Sequence, residues 1–400
     1  MMKKGYQGGA SKRRHKMSYS ARHELLRSVT KRYLSAGRKE KAVILDEVCQ
    51  STGFHRKHVI RALNNFLEDP SGKEKRGRKR IYDNPNLIEL LKALRAGVGN
   101  VCAELFHQQI SFAIDLYERH IGKIPEEQRT LLKRISVSTL KRILPGAYKA
   151  KSGVRKHYRQ ASKLCGKVPL QINYPKPQDP GCLEIDLVEH NGGDPSGQYL
   201  YTFTAIDKVT NWLIRTCMPN KSALSVHRAM NFAVKKLPYS LFWIDTDNGS
   251  EFLNDLIIKW TDIHDYLFTR SRAGKKNDNA HVERANKVYV RELIGYSRFT
   301  SQKACKLINR IYLLDELHVN FFVPGRKIVQ KIYDNTSGKR IKLYDRARTP
   351  YNRVIAFYCN NEQLSEKICK PLQNVYQTLN PWELVAERGR LMLQLGRLIR

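Results

Sequence analysis

The chain has 400 residues, 41% of them hydrophobic, and carries 72 Lys+Arg against 37 Asp+Glu, a formal net charge of +35. That length allows roughly two to four domains, and so large a basic surplus seeks polyanions. No run reaches the about 18 apolar residues of a membrane span, Met1-Met2-Lys3-Lys4-Gly5 lacks a signal peptide's apolar core, and eight scattered cysteines without a C-x-x-C pair exclude a disulfide scaffold and point to reduced thiols in the cytosol.

The charge is unevenly spread. Residues from Gly181 to Gly295 hold 14 acidic and 14 basic side chains, so the flanks, with 58 basic and 23 acidic, carry the whole surplus. A neutral, acid-bearing centre between basic arms suits an enzyme that grips nucleic acid at its edges.

Residues 1–17, with Lys12-Arg13-Arg14-His15-Lys16, read as a basic disordered arm. A helix-turn-helix DNA-binding domain is expected over 18–69: helices from about Ser20 to Ala36 and Arg38 to Ser51, a Thr52-Gly53-Phe54 turn, and a third helix carrying Val59, Ile60, Leu63 and Phe66. It sets His55, Arg56, Lys57 and Arg61 where a recognition helix meets the major groove; a three-helix bundle with a basic face is the competing reading. His55 and His58 have no paired cysteines beside them, which argues against a zinc finger.

Residues 70–81 form a basic linker, in which Arg76 and Arg78 either enter a minor groove or belong to a solvated tether. A second helical, DNA-binding region is expected over 82–148. Asn84 caps a helix with Pro85 at its first position, and helices follow around Ala103–His120, Pro125–Ile135 and Ser138–Leu144. Ser136–Arg142 looks like the start of a second recognition helix, a weaker signal than the first. Residues 149–180, with prolines at 169, 175, 177 and 180, read as another basic linker.

The core spans 181–300. Strands are expected at Leu183–Val188, Tyr199–Asp207 (alternating with period two) and Trp212–Met218, in a meander. Then come a helix over Ser222–Leu237, a buried strand at Leu241–Thr246, a helix over Glu251–Thr261, a short strand at Tyr266–Thr269, a Gly/Lys loop over Ser271–Asn279 and a helix over Ala280–Gly295. The order β-β-β-α-β-α-β-α implies a mixed sheet with flanking helices.

Three acids stand out in that frame. Asp186 lies mid-strand, a poor place for an uncompensated charge. Asp247 follows a strand where the Asn248-Gly249 turn frees its side chain, and Glu283 follows on the last helix with 35 residues between the two. Phosphodiester exchange needs one oxygen activated and another stabilised in line, which two Mg²⁺ (or Mn²⁺) held by carboxylates do. Asp245 and Glu184 share faces with Asp247 and Asp186 and are rival ligands; Asp207 beside Lys208 fits a turn or ion-pair role. The loop before Glu283 suggests mobility, with Glu283 standing away from the aspartates when nothing is bound.

Here the residues carry a resemblance. An Asp inside a first strand, the run Thr246-Asp247-Asn248-Gly249-Ser250-Glu251-Phe252, the 35-residue interval and the Asn279-Ala280-His281-Val282-Glu283 helix start resemble the retroviral integrase catalytic core and its insertion-sequence transposase relatives, the DDE superfamily. The resemblance covers about Leu183–Gly295. The upstream helix-turn-helix suits the bacterial insertion-sequence branch, and the retroviral His-His-Cys-Cys zinc module is missing. The resemblance implies an RNase H-like fold with a five-stranded sheet, Asp186, Asp247 and Glu283 as catalytic and metal-binding triad, and DNA-end contact from Lys287, with Arg284 and Arg291 weaker; helix-face bases are equally those of a solvated surface.

The C-terminal region, 301–400, holds a helical Leu313–Phe322, an alternating basic Lys339–Tyr344 suited to a small β-unit on DNA, and a closing helix from Asn380-Pro381-Trp382; no chemistry attaches to it. The expected protein is thus a DNA transposase that cleaves element ends and joins the 3′-OH to target DNA in the bacterial cytoplasm at the nucleoid, as a homo-oligomer on double-stranded DNA, with no membrane role. A nuclease that cuts without joining, and a non-catalytic DNA-binding regulator derived from a transposase, are the alternatives.

Overall fold

A computed structural model describes residues 17–65, 81–144, 163–273, 278–334 and 338–399. The basic arm to residue 16, Arg76 and Arg78 of the first linker, and Lys276 and Asn277 of the loop before Glu283 lie outside the described residues. The chain divides into two compact units, Met1–Arg80 and Ile81–Arg400.

In the first unit, α1 (Tyr19–Ser35), α2 (Arg38–Thr52) and α3 (Arg56–Asn65) follow one another closely. Ser18 caps α1 by accepting from the Ala21 N–H at 3.2 Å. Gly53 closes α2 with φ of 71°, its N–H donating to the Cys49 carbonyl at 2.8 Å; this left-handed C-cap position is one glycine fills without Cβ strain. Leu26, Tyr33, Ile44, Leu45, Val48, Val59 and Leu63 meet in one apolar cluster.

The second unit opens with a helical layer: α4 (Pro85–Gly97), α5 (Ala103–Gln108), α6 (Ile110–His120), α7 (Glu126–Arg134) and α8 (Val137–Ile143). Asn84 caps α4 as the sequence predicts, accepting from the Asn86 N–H at 2.9 Å. The span Ala103–His120 is two helices, broken at Gln109, which bridges them at φ −111°, ψ 8°. The Gln109 amide donates to the Ala347 carbonyl at 2.8 Å and Gln108 Oε1 accepts from the Ala347 N–H at 2.9 Å. These contacts tie the layer, which keeps its own apolar cluster, to the C-terminal region. Where a second recognition helix was expected, α8 has only seven residues, and its bases are ion-paired inside the unit: Lys141 with Glu104 at 2.6 Å and Arg142 with Asp83 at 2.7 Å.

The sheet follows: β1 (Cys182–His190), β2 (Leu200–Asp207), β3 (Leu213–Met218), α9 (Ala223–Lys236), β4 (Trp243–Thr246), α10 (Asp255–Ile263) and β5 (Leu267–Arg270). The five strands lie in the order β3-β2-β1-β4-β5. β1–β2 and β2–β3 are antiparallel, as expected of the meander, while β1–β4 and β4–β5 are parallel. The expected mixed five-stranded sheet with flanking helices is therefore present. Two boundaries move. α10 starts at Asp255 behind an Asn254 cap that accepts from the Ile257 N–H at 3.1 Å, so Glu251 sits in the preceding turn, not in the helix. Of the second linker, Val168 is buried and the Arg270 N–H donates to the Pro169 carbonyl at 3.0 Å, so from there the chain edges the sheet instead of bridging domains.

After β5 come α11 (Ala280–Ala285), a π-helical stretch (Asn286–Arg291) and α12 (Glu292–Ile294), where an unbroken helix was expected. Then follow α13 (Gln302–Phe322), β6 (Ile328–Asp334), β7 (Lys339–Tyr344), α14 (Pro350–Tyr358), α15 (Glu362–Leu364), a second π turn (Ser365–Cys369), α16 (Lys370–Thr378) and α17 (Pro381–Gly396). The C-terminal region is joined to the core instead of standing apart. α13 runs along the edge strand β3 and satisfies its outer backbone groups. Asn320 accepts from Leu213 N and donates to its carbonyl, both at 2.9 Å; Glu316 accepts from Arg215 N at 2.6 Å; Asn309 accepts from Cys217 N at 2.7 Å and donates to its carbonyl at 3.1 Å. An edge that would otherwise template another strand is thereby closed. α17 reaches back to α4, Trp382 Nε1 donating to the Ala93 carbonyl at 2.9 Å.

Arg215, 1% exposed, pairs with Asp315 at 2.8 Å beside Glu316. Burial pushes the Glu316 carboxyl up to about 7, against the pull of Arg215. A folded value above the ordinary 4.5 means that this group's contribution is present below pH 4.5 and lost as pH rises through about 7. Glu316→Gln keeps an acceptor for Arg215 N and removes that loss. Melting temperatures measured across this window should fall less with rising pH in the variant than in the wild type; identical slopes would contradict the assignment.

None of the eight cysteines is paired in a disulfide, and among the described residues no helix is long and apolar enough to cross a membrane.

Candidate active site

The register of the parallel strands builds the site. Glu184 of β1 lies opposite Asp245 of β4. Asp186 lies two residues beyond Glu184 on β1, and Asp247 two residues beyond Asp245, in the turn just past the end of β4 at Thr246. Both are partly exposed, whereas Glu184 and Asp245 are 1% and 0% exposed.

The lower pair, the two rival ligands of the sequence reading, is engaged inside the protein. Lys208 Nζ lies 2.7 Å from Asp245 Oδ2 and 3.4 Å from Glu184 Oε1. Thr269 Oγ1 donates to Asp245 Oδ1 at 2.8 Å, and Glu184 Oε2 accepts from the backbone N–H groups of His281 and Val282 at 3.0 and 2.9 Å. Burial raises both carboxyls, with Lys208 opposing it. Burial alone would lower Lys208, but the two carboxylates outweigh it and hold the ammonium above its ordinary value. Asp207 is a turn residue, as expected: its carboxylate accepts from the N–H groups of Gly181, Cys182, Val209 and Thr210 and from the Thr210 hydroxyl.

Asp247 sits in a tight turn whose Gly249 N–H donates to Asp247 Oδ1 at 2.9 Å. A Cβ at Gly249 would stand 2.7 Å from the Glu251 carboxyl carbon, so a side chain there would displace that carboxylate. Asn248 ties it to the end of β5, donating to the Ser271 carbonyl at 3.0 Å and accepting from Arg270 Nη1 at 3.1 Å.

Glu283 rides on α11, and two anchors fix that helix to β1. Below, its first N–H groups hold Glu184; above, the Asn286 side-chain amide donates to Asp186 Oδ2 at 2.8 Å. Glu283 lies between these anchors, exposed, and its carboxylate has no hydrogen bond or ion pair among the described residues. The loop before it is clamped at its ends: Arg272 Nε and Nη2 grip the Asp278 carboxylate, both at 2.9 Å, and Asn279 donates to Ser271 Oγ at 3.1 Å. Among the described residues no three His, Cys, Asp or Glu side chains are gathered to hold a metal ion; Glu283 is on the helix whose end is bonded to Asp186 through Asn286.

Asn286 was not singled out by the sequence. Its signal was only its place three residues after Glu283, where helical side chains share a face. Its Oδ1 is buried with no hydrogen-bond partner among the described residues. It opens the π stretch, a feature common at functional sites and one that nothing in the sequence marks.

Of the predicted DNA contacts, Lys287 and Arg284 are exposed. Arg291 is half-buried, its guanidinium 5.1 Å from the Tyr296 ring, and the wider π turn changes its angular relation to Glu283 from that of an even helix. In the first unit, His55, Arg56, Lys57 and Arg61 are all exposed along the start of α3. Arg56 pairs with Asp46 of α2, and Arg61 Nε donates to the Lys57 carbonyl at 3.3 Å.

No protein-family model matches the chain. Among solved structures, the catalytic core domain of BIV integrase aligns over 46% of this chain and 98% of its own, at 16% identity and a TM-score of 0.32. The HTLV-2 integrase catalytic core domain in complex with magnesium aligns over 28% and 68%, at 17% identity and a TM-score of 0.23. A chain of the simian T-cell lymphotropic virus intasome in complex with PP2A regulatory subunit B56 gamma aligns over 42% and 55%, at 12% and 0.26. Similarity this low assigns no residue or reaction to the chain. The uncharacterized protein y4rM of Sinorhizobium fredii (strain NBRC 101917 / NGR234) is 33% identical over 325 residues, 79% of this chain and 90% of that protein. Identity at that level, over nearly the whole relative, means that the chain belongs to the y4rM family.

Proposed function

We propose that the chain is a DNA transposase of the DDE kind, with an RNase H-like core and a helix-turn-helix reading head at α2–α3. What supports the proposal is Asp186 on β1 and Asp247 just past the end of the adjacent parallel strand β4, with the helix that bears Glu283 bonded to Asp186 through Asn286. Asp186, Asp247 and Glu283 would hold two Mg²⁺ or Mn²⁺ ions. The donor set fits such hard cations: three carboxylates, with Asn286 Oδ1 buried and unpartnered beside Asp186. Bound there, the ions supply activation of the attacking oxygen and stabilisation of the leaving one.

The protein's own groups do the rest. Asn286 orients the Asp186 carboxylate, and the Gly249 N–H orients that of Asp247. Glu283, unengaged on the solvent side of its helix, closes toward the pair when DNA is seated. Lys287, and more weakly Arg284 and Arg291, meet the DNA end. Strand cleavage leaves a 3′-OH, which then attacks a target phosphodiester directly, with no covalent protein intermediate. Two ends must be held at once, so the working form is a homo-oligomer on DNA.

The test is an assay of purified full-length protein with Mg²⁺ and labelled duplexes taken from inverted repeats flanking its gene. The expected result is cleavage followed by joined product. Cleavage without joining favours the plain nuclease, and absence of cleavage with any divalent ion favours the non-catalytic regulator. Within the proposal, Asn286→Ala should weaken apparent Mn²⁺ affinity or activity by about 10–100-fold, the usual effect of removing a group that orients a ligand, while the melting temperature changes little. A variant with wild-type metal dependence would remove Asn286 from the site.

A further inference from the structure

The β6–β7 hairpin is built as a free-standing two-faced ribbon. Its register pairs Ile328 with Tyr344, Lys331 with Lys342, Ile332 with Ile341 and Tyr333 with Arg340. Since faces alternate along a strand, one face collects Ile328, Lys331, Tyr333, Arg340, Lys342 and Tyr344. That face bears three cations and two tyrosines and no acid. The opposite face carries Ile332, Ile341 and Leu343, which are 41%, 46% and 42% exposed. Every residue of β7 is exposed, so neither face is covered.

Two features show that the hairpin is set up for a polyanion. Lys331 directly opposes Lys342, a like-charge pair that costs stability in a sheet and that a phosphate between the two ammoniums would relieve. Two-stranded hairpins are marginal by themselves, yet this one is anchored firmly at its root. The Lys327 N–H donates to Asp345 Oδ1 at 2.6 Å, Arg353 Nη1 donates to Asp345 Oδ2 at 2.6 Å, and Lys327 Nζ reaches the Val209 carbonyl at 2.7 Å. Val209 adjoins Lys208, whose ammonium pairs with the Glu184 that holds the start of the Glu283 helix. The ribbon is therefore fixed to the scaffold that positions the candidate active site.

We propose that the Lys331–Arg340–Lys342 face of this hairpin grips the phosphate backbone of duplex DNA, whatever its sequence, as a second hold beyond the active-site helix. The three cations neutralise phosphates while Tyr333 and Tyr344 lie against the sugar–phosphate edge. Such contacts position DNA without reading it. The proposal rests on the DNA reading above.

The experiment compares wild type with the triple variant Lys331→Gln, Arg340→Gln, Lys342→Gln in full-length protein, binding a random-sequence duplex across a salt series by fluorescence anisotropy. Because these side chains are exposed and the Lys331–Lys342 repulsion is removed, the melting temperature should not fall. The slope of log Kd against log salt should fall by about 2 to 3, at about 0.9 per lost phosphate contact, and Kd at physiological salt should rise tenfold or more. Wild-type slope and affinity in the triple variant would overturn the proposal while leaving the DNA reading intact. It is also overturned if Ile332→Ser with Ile341→Ser, on the other face, causes the loss together with a drop in oligomeric mass, since a second copy would then be the ribbon's partner. Wild type that shows no salt-dependent duplex binding would sink the DNA reading itself.

Discussion

Asp247→Asn should leave the protein folded and stop Mg²⁺-dependent strand cutting. The substituted amide oxygen can still accept from the Gly249 N–H, which lies 2.9 Å from the present carboxylate, so the turn and the end of β4 keep their geometry. What disappears is the negative charge beside Asp186. A charge that holds a catalytic ion contributes several kcal/mol to the transition state; at about 4 kcal/mol, the cutting rate drops about a thousandfold. Single-turnover cleavage of a labelled duplex, with circular dichroism as the folding control, measures both. Retention of more than a tenth of the wild-type rate would mean that Asp247 is not a ligand.

The second large effect is on stability. Lys208→Met removes the cation paired with Glu184 and Asp245, whose carboxylates lie 3.4 and 2.7 Å from its ammonium. Breaking a buried pair from one side costs about 3–5 kcal/mol because the remaining charge stays buried, a large share of the roughly 5–15 kcal/mol total for a domain. Lys208 is held above 10.5 in the folded protein, so its contribution is complete below that pH and is lost only as pH rises through the folded value; at neutral pH the variant feels the whole loss. Adding Glu184→Gln and Asp245→Asn to Lys208→Met should recover most of it. Urea unfolding of the three proteins decides: a single variant as stable as wild type, or no recovery in the triple, would show that this network is not what holds β1, β4 and the start of α11 together.

The sheet was legible in the sequence because its strands are short apolar runs separated by turn residues, and period-two alternation marked β2 without ambiguity. Asp186, Asp247 and Glu283 were singled out through their order and surroundings. The pairing of Glu184 with Asp245 was not, since register is a long-range property, and with it went the distinction between structural acids below and exposed acids above. The break at Asn286 was equally hidden: Ala280–Gly295 has good helical spacing throughout, and the π turn arises where Asn286 reaches Asp186. The packing of the C-terminal region on the sheet was not legible because Asn309, Glu316 and Asn320 look like surface polar residues on a helix. Only the fold shows them bonded to β3. The ion pairs of α8 were hidden for the converse reason, because the acidic partners of its basic residues, Glu104 and Asp83, come from distant parts of the sequence.

The most direct test of the central claim locates the ion instead of the activity. Fe²⁺ substituted for Mg²⁺ in the full-length protein, with ascorbate and peroxide, generates radicals that cut the backbone next to the bound metal. The account predicts fragments ending near Asp186 and Asp247, with a third cut near Glu283 that strengthens when duplex DNA is added, all suppressed by excess Mg²⁺ and lost in Asp247→Asn. Cuts elsewhere in the chain, or cuts at these places that persist in Asp247→Asn, would contradict it.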